Sequence, residues 1–125
     1  MSTPVFLDTG ALIGLERRKA RVHRLVAAAH DREAPVVTVL PVITEWWRGS
    51  PEQARLRRTF EVLPLSELEA RVAGNALGAS PAGPGAVDAI LMAAAARHGA
   101  VVLTGDVGDL ESLAAYFPSV RVLAV

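Results

Sequence analysis

Hydrophobic and polar positions fall into two alternating kinds of stretch along this chain. Pro4 to Leu7, Val36 to Val39 and Val101 to Leu103 are short apolar or β-branched runs without alternation. Such runs read as strands buried on both faces, as in the middle of a parallel sheet covered by helices. Between them lie helical signals. A short turn over Ala11 to Leu15 precedes a more definite helix whose Val22, Leu25, Val26 and Ala29 fall at i, i+3, i+4 and i+7. Pro41 suits a first helical position, in a short helix running through Arg48 to a stop at Gly49. Ser50 with Gln53, and Ser66 with Glu69, form two capping boxes that open further helices, the second running toward Gly78. Val62, Leu63 and Leu65 between them suit a brief edge strand, since Pro64 cannot donate to a ladder. Val87 to His98 is a strong helix, with Arg97 and His98 near its negative end and Gly99 as its stop. A helix over Leu110 to Tyr116 and a strand over Val120 to Ala124 complete the chain.

Strands separated by helices in this way predict a three-layer α/β/α sandwich with a mainly parallel central sheet of about five strands and right-handed crossovers. Residues 1–125 are read as a single domain, with one clearly irregular connection, Ala79 to Gly85.

Composition narrows the function classes. Thirteen basic residues, twelve of them Arg, balance thirteen acidic ones, so no global field holds a nucleic acid or an anionic membrane and any polyanion must be gripped locally. The absence of cysteine excludes disulfides and thiolate metal sites and suits the cytosol. Without a signal-type amino terminus or a run of about 18 apolar residues, the chain is expected to be soluble and cytoplasmic, with no membrane partner.

The candidate chemistry lies in the acids. Of five aspartates, Asp8, Asp106 and Asp109 follow strand ends, Asp88 lies at the start of a helix, and only Asp31 falls elsewhere. In a parallel α/β unit, strand carboxyl ends and helix amino ends share one edge, where ligands bind. Glu45, about one turn into its helix, lies roughly 6 Å below that edge and reaches back. So many carboxylates in one place need a counter-charge. Oxygen-only ligation without Cys or a His pair points to Mg²⁺ or Mn²⁺ over Zn²⁺. Such a site suits hydrolysis of a nucleic-acid backbone.

The sequences VFLDTGALIGL around Asp8, ITEWWRG around Glu45, VDAILMAAA around Asp88 and VLTGDVGDL around Asp106 and Asp109 together resemble the PIN-domain ribonucleases, most closely toxin subunits of VapC type. The resemblance implies a metal-dependent endoribonuclease, usually a homodimer, held inactive by a cognate antitoxin and acting on transfer or ribosomal RNA. It carries Asp8, Glu45, Asp88 and Asp106 over as the acidic quartet, Asp109 as an accessory acid, and Thr104 as a hydroxyl that orients a carboxylate. Leu40 departs from the pattern, standing where many relatives place a polar helix cap.

Each residue also has a plainer reading. Asp8 suits a turn, Asp88 a helix-dipole charge, Asp109 an N-cap, and Glu45 a solvated helix position. Of Trp46 and Trp47, about 100° apart on a helix, one belongs to the core and the other is a candidate anchor for a second subunit or an antitoxin. The Arg runs at 17–24 and 55–58 read as solvated faces, some of which contact phosphate; His23, His30 and His98 read as surface residues. An aspartic-protease reading of Asp8-Thr9-Gly10 requires an all-β chain, and a phosphoacceptor domain a late lysine that Lys19 does not supply. The remaining rival is a PIN-like RNA- or protein-binding module that does not cleave.

Overall fold

A computed structural model describes residues 2–80 and 83–125. Five strands, β1 (Val5–Leu7), β2 (Val36–Val39), β3 (Glu61–Leu63), β4 (Val101–Thr104) and β5 (Arg121–Ala124), form one sheet in the order β3-β2-β1-β4-β5, with every pairing parallel. The β-branched runs supply its centre. β1 and β2 are buried along their whole length, whereas the edge strands β3 and β5 are exposed or half-buried.

Among the described residues, seven helices connect the strands: α1 (Thr9–Glu16), α2 (Ala20–Asp31), α3 (Leu40–Trp46), α4 (Pro51–Arg57), α5 (Glu67–Ala79), α6 (Ala86–His98) and α7 (Val107–Tyr116). α1 packs on α2, α3 and α4, whereas α5 packs on α6 and α7. With right-handed crossovers the two groups cover opposite faces, giving the predicted α/β/α sandwich. The chain runs outward from β1 to β3, then crosses back to β4, so direction reverses between β1 and β4. That junction is the topological switch point, where open α/β sheets form their binding crevice. Pro81 and Ala82, inside the connection expected over Ala79 to Gly85, lie outside the described residues; Ala79 itself still belongs to α5.

The core runs along the central strands. Phe6, Leu7, Leu12, Leu91, Met92 and Leu103 are almost wholly buried. α6 is apolar nearly all round, with Ala89 and Leu91 through Ala95 buried. Its small alanines allow close packing against α5, α3, β2 and β4. It ends at Gly99, whose positive φ of 60° is the left-handed cap expected there.

Three local expectations need correction. α1 is two full turns from Thr9, not a single turn from Ala11, because Asp8 caps it by accepting from Ala11 N–H. α7 starts at Val107, three residues before the expected Leu110, because Asp106 is its N-cap and accepts from Gly108 N–H; Asp109 is therefore not a cap. The capping box at Ser66 forms completely, but that at Ser50 is only half made. The Ser50 hydroxyl accepts from Gln53 N–H at 3.1 Å. The Gln53 side chain turns inward instead. It accepts from Arg48 N–H at 2.7 Å and donates to Trp46 O at 2.9 Å and to Glu16 Oε1 at 3.1 Å.

Gln53 is thus a buried polar bridge between α1, α3 and α4, and its removal strands several partners. In chemical denaturation, Gln53→Ala is expected to lose about 2–3 kcal/mol and Ser50→Ala about 1 kcal/mol. Equal losses would mean that Gln53 acts only as a helix-start residue.

Candidate active site

The switch point holds Asp8. It is 7% exposed, at the end of β1, and its Oδ1 accepts from Ala11 N–H at 2.7 Å and Gly105 N–H at 3.2 Å. The second bond ties the loop after β1 to the loop after β4. It forms because the two loops touch through glycines: a Cβ on Gly10 would stand 2.7 Å from Gly105 Cα. Burial pushes the Asp8 carboxyl above the usual carboxylate range, offset by the Thr104 hydroxyl and by N–H groups of Ala11, Gly105 and Gly10. Thr104, fully buried at the end of β4, accepts from Asp106 N–H at 3.0 Å. Its own proton has two neighbouring acceptors, the Asp106 carbonyl at 3.1 Å and the Asp8 carboxylate. The expectation that Thr104 orients a carboxylate thus corresponds to a hydroxyl shared between both loops.

Glu45 is exposed on α3, yet it is drawn to the same edge, because Thr9 at the start of α1 donates its hydroxyl to Glu45 Oε1 at 2.6 Å. α3 has no side-chain cap; Val39 is its N-cap and Leu40 is 54% exposed. Thr9, not a cap on α3, therefore fixes the glutamate. Nothing in the sequence marks a partnership across thirty-six residues. Thr9 and the Gly10–Gly105 contact are the two features that sequence reasoning misses.

Asp88 lies in the first turn of α6, half-buried, and α6 packs against α3. Its pKa is pushed up to about 6, first by burial and then by the charges of Asp8, Glu45, Asp109 and Asp106. The other four acids named from the sequence therefore all lie within electrostatic reach of Asp88. Asp31, at the end of α2, is not among them. Asp106 and Asp109 are exposed at the start of α7, as its N-cap and in its first turn.

The donor set is oxygen-only and rich in charge, which fits a hard divalent cation, and the load on Asp88 is that of acids short of a counter-ion. The side chains do not close around one point: among the described residues, no three His, Cys, Asp or Glu are arranged to hold a metal ion. Several carboxylate oxygens are instead engaged by local donors, Asp8 by two N–H groups, Glu45 by Thr9 and Asp106 by Gly108. Larger cavities lie elsewhere. One of about 530 Å³, bordered by Arg18, His23 and Arg55, holds none of these acids.

No protein-family model matches the sequence, and no curated protein does. Solved structures do match its fold. VapBC2 from Rickettsia felis, bound to a DNA fragment from their promoter, aligns with a TM-score of 0.75 at 10% identity, covering 98% of this chain and 99% of that one. A toxin–antitoxin complex from Klebsiella pneumoniae aligns at 0.67 and 20% identity, covering 93% and 94%. FitAcB from Neisseria gonorrhoeae aligns at 0.63 and 20%, covering 95% and 96%. The chain thus has, over nearly its whole length, the PIN-like fold found in chains of toxin–antitoxin complexes. At these identities the likeness is one of fold.

The glycine contact and the loaded aspartate can each be tested. Gly10→Ala forces the loops after β1 and β4 apart and breaks the Gly105 to Asp8 bond. A loss of about 1–3 kcal/mol is expected in equilibrium unfolding, and an unchanged midpoint would show that the loops yield freely. For Asp88, a raised pKa means the folded chain binds the proton more tightly than the unfolded one. Its stabilising contribution is complete below the ordinary value of 3.8 and is lost as pH rises through about 6. With chelator present, Asp88→Asn should be more stable than the parent at pH 7.5, by about 1 kcal/mol after solvent screening, and the difference should vanish below about pH 4.

Proposed function

We propose that this chain is a divalent-metal-dependent endoribonuclease and the toxin member of a toxin–antitoxin pair. One observation carries the reading: four separate chain segments deliver Asp8, Glu45, Asp88, and Asp106 with Asp109, to the carboxyl edge of the sheet, where the others all load Asp88. Asp8, Glu45, Asp88 and Asp106 would hold Mg²⁺ or Mn²⁺, with Asp109 as an accessory acid. The bound ion supplies a water of lowered pKa and offsets charge in the in-line transition state.

The chain's own residues do the rest. Thr9 holds Glu45, and Thr104 with the Gly105 N–H holds Asp8 against the loop that carries Asp106. The substrate is RNA presented as a single-stranded loop, with transfer and ribosomal RNA as candidates. Trp46 is buried and Trp47 is 39% exposed, so Trp47 is the residue placed to anchor a second copy or an antitoxin. Among the described residues no helix is long and apolar enough to cross a membrane, and the cytoplasm is the proposed compartment.

Extensively purified protein should cleave structured RNA with Mg²⁺. Chelator, or Asp8→Asn or Asp106→Asn in the folded protein, should reduce the rate by about 100-fold or more. Cleavage that persists in the variants would mean another mechanism or a contaminant. Binding without cleavage on every substrate would favour a PIN-like module that only binds RNA.

A further inference from the structure

Between α1 and α3 lies a groove of about 270 Å³ whose walls include Ile13, Glu16, Arg17, Glu45, Trp46 and Arg48. Of the candidate acids, Glu45 borders this groove. Its floor is rigid. Glu16 Oε1 accepts from Trp46 Nε1 at 3.0 Å and from Gln53 Nε2 at 3.1 Å, so part of its charge is turned inward onto neutral donors. The Arg48 backbone is held by Gln53.

The rim differs. Arg17 and Arg48 are both exposed, and neither takes part in an ion pair among the described residues, where Arg18, Arg71 and Arg97 are the paired arginines. The Arg48 guanidinium donates only to backbone carbonyls, Trp47 O at 2.7 Å and Thr44 O at 3.3 Å. Such bonds at an exposed site are readily exchanged for a charged acceptor, because charge-assisted hydrogen bonds are the stronger ones. Arg17 caps the carboxyl end of α1, where a cation also offsets the helix dipole, a role that needs no ligand. Two unpaired guanidiniums facing one groove beside a cluster of acids are more than that role requires.

We propose that Arg17 and Arg48 grip a backbone phosphate of single-stranded RNA next to the bond held at the acidic edge. The proposal rests on the ribonuclease reading. A neutral protein with an acidic reaction edge repels its polyanionic substrate there, and these residues are the cations the structure sets next to Glu45.

The test measures binding of a fluorescent single-stranded oligoribonucleotide across a salt series, with chelator present to prevent cleavage. The folded Arg17→Gln/Arg48→Gln protein should bind at least 10-fold more weakly than the parent. The slope of log affinity against log salt should become shallower by about 0.7, because one fewer phosphate of the single strand is then neutralised. The Lys pair, Arg17→Lys/Arg48→Lys, should restore the slope because it keeps the charge. Arg71→Gln, which breaks an exposed ion pair on α5, should leave both unchanged. With Mg²⁺, the Gln pair should raise KM and leave kcat near the parent's. If the parent binds and cleaves RNA but the Gln pair matches Arg71→Gln, the groove proposal fails and the ribonuclease reading stands. If the parent neither binds nor cleaves RNA, both fall.

Discussion

Two parallel strands, β1 and β4, end side by side with their exit loops touching glycine to glycine, and the rest of the site depends on that closeness. Gly10 and Gly105 meet backbone to backbone at a separation that any Cβ would violate. This lets one carboxylate, Asp8, serve both loops: its Oδ1 accepts from Ala11 N–H on one side and Gly105 N–H on the other, while its own N–H donates to Leu103 O. A buried carboxylate without donors would cost several kcal/mol. Here the donors come from backbone that has to turn in any case, so the acid is tolerated and also pins the switch point.

The same edge concentrates charge. Five of the thirteen acids lie there, so in a chain of zero formal net charge the remaining surface carries a positive surplus. Neutral overall composition thus hides a polarised molecule, acidic where strands end and basic around it. Asp88 carries the strain of this arrangement, because α6 is apolar nearly all round and leaves its first turn poorly hydrated beside four like charges. A bound cation would relieve that strain, which is the physical reason that an acid cluster and a metal belong to one reading.

Much of this is legible in the chain. Val36–Val39 and Val101–Thr104 give way to helices at turns the sequence marks, and Ser66 with Glu69, and Gly99, take the cap roles their residue types suggest. The acids themselves can be named because each follows a strand end or opens a helix, and topology alone sends such positions to one edge. What stays hidden depends on partners distant in sequence or on equal local choices. Asp106 and Asp109 are both good caps, and the glycine between them makes an early start for α7 look unfavourable; the turn from β4 decides for Asp106. Gln53 has a local use and takes a tertiary one, because Glu16 and the Trp46 carbonyl need a buried partner. Thr9 meets Glu45 only after α1 and α3 have packed.

Helix amino termini give Asp8 and Asp106 backbone donors that Asp88 does not have as a cap. α1, α6 and α7 all begin at the same edge, and each amino terminus offers roughly half a unit of positive charge together with free N–H groups. Asp8 caps α1 and Asp106 caps α7, so each draws directly on those groups. α6 is entered through Gly85, with no side-chain cap, and Asp88 lies three residues further on, past the cap position. The dipoles thus offset the repulsion unevenly, and most at the two caps, Asp8 and Asp106. Even with α3, which begins at the same edge directly after β2, the half-charges fall well short of five carboxylates. The edge therefore retains a deficit of positive charge that the backbone cannot fill, and the proposed divalent ion would have the sign to offset it.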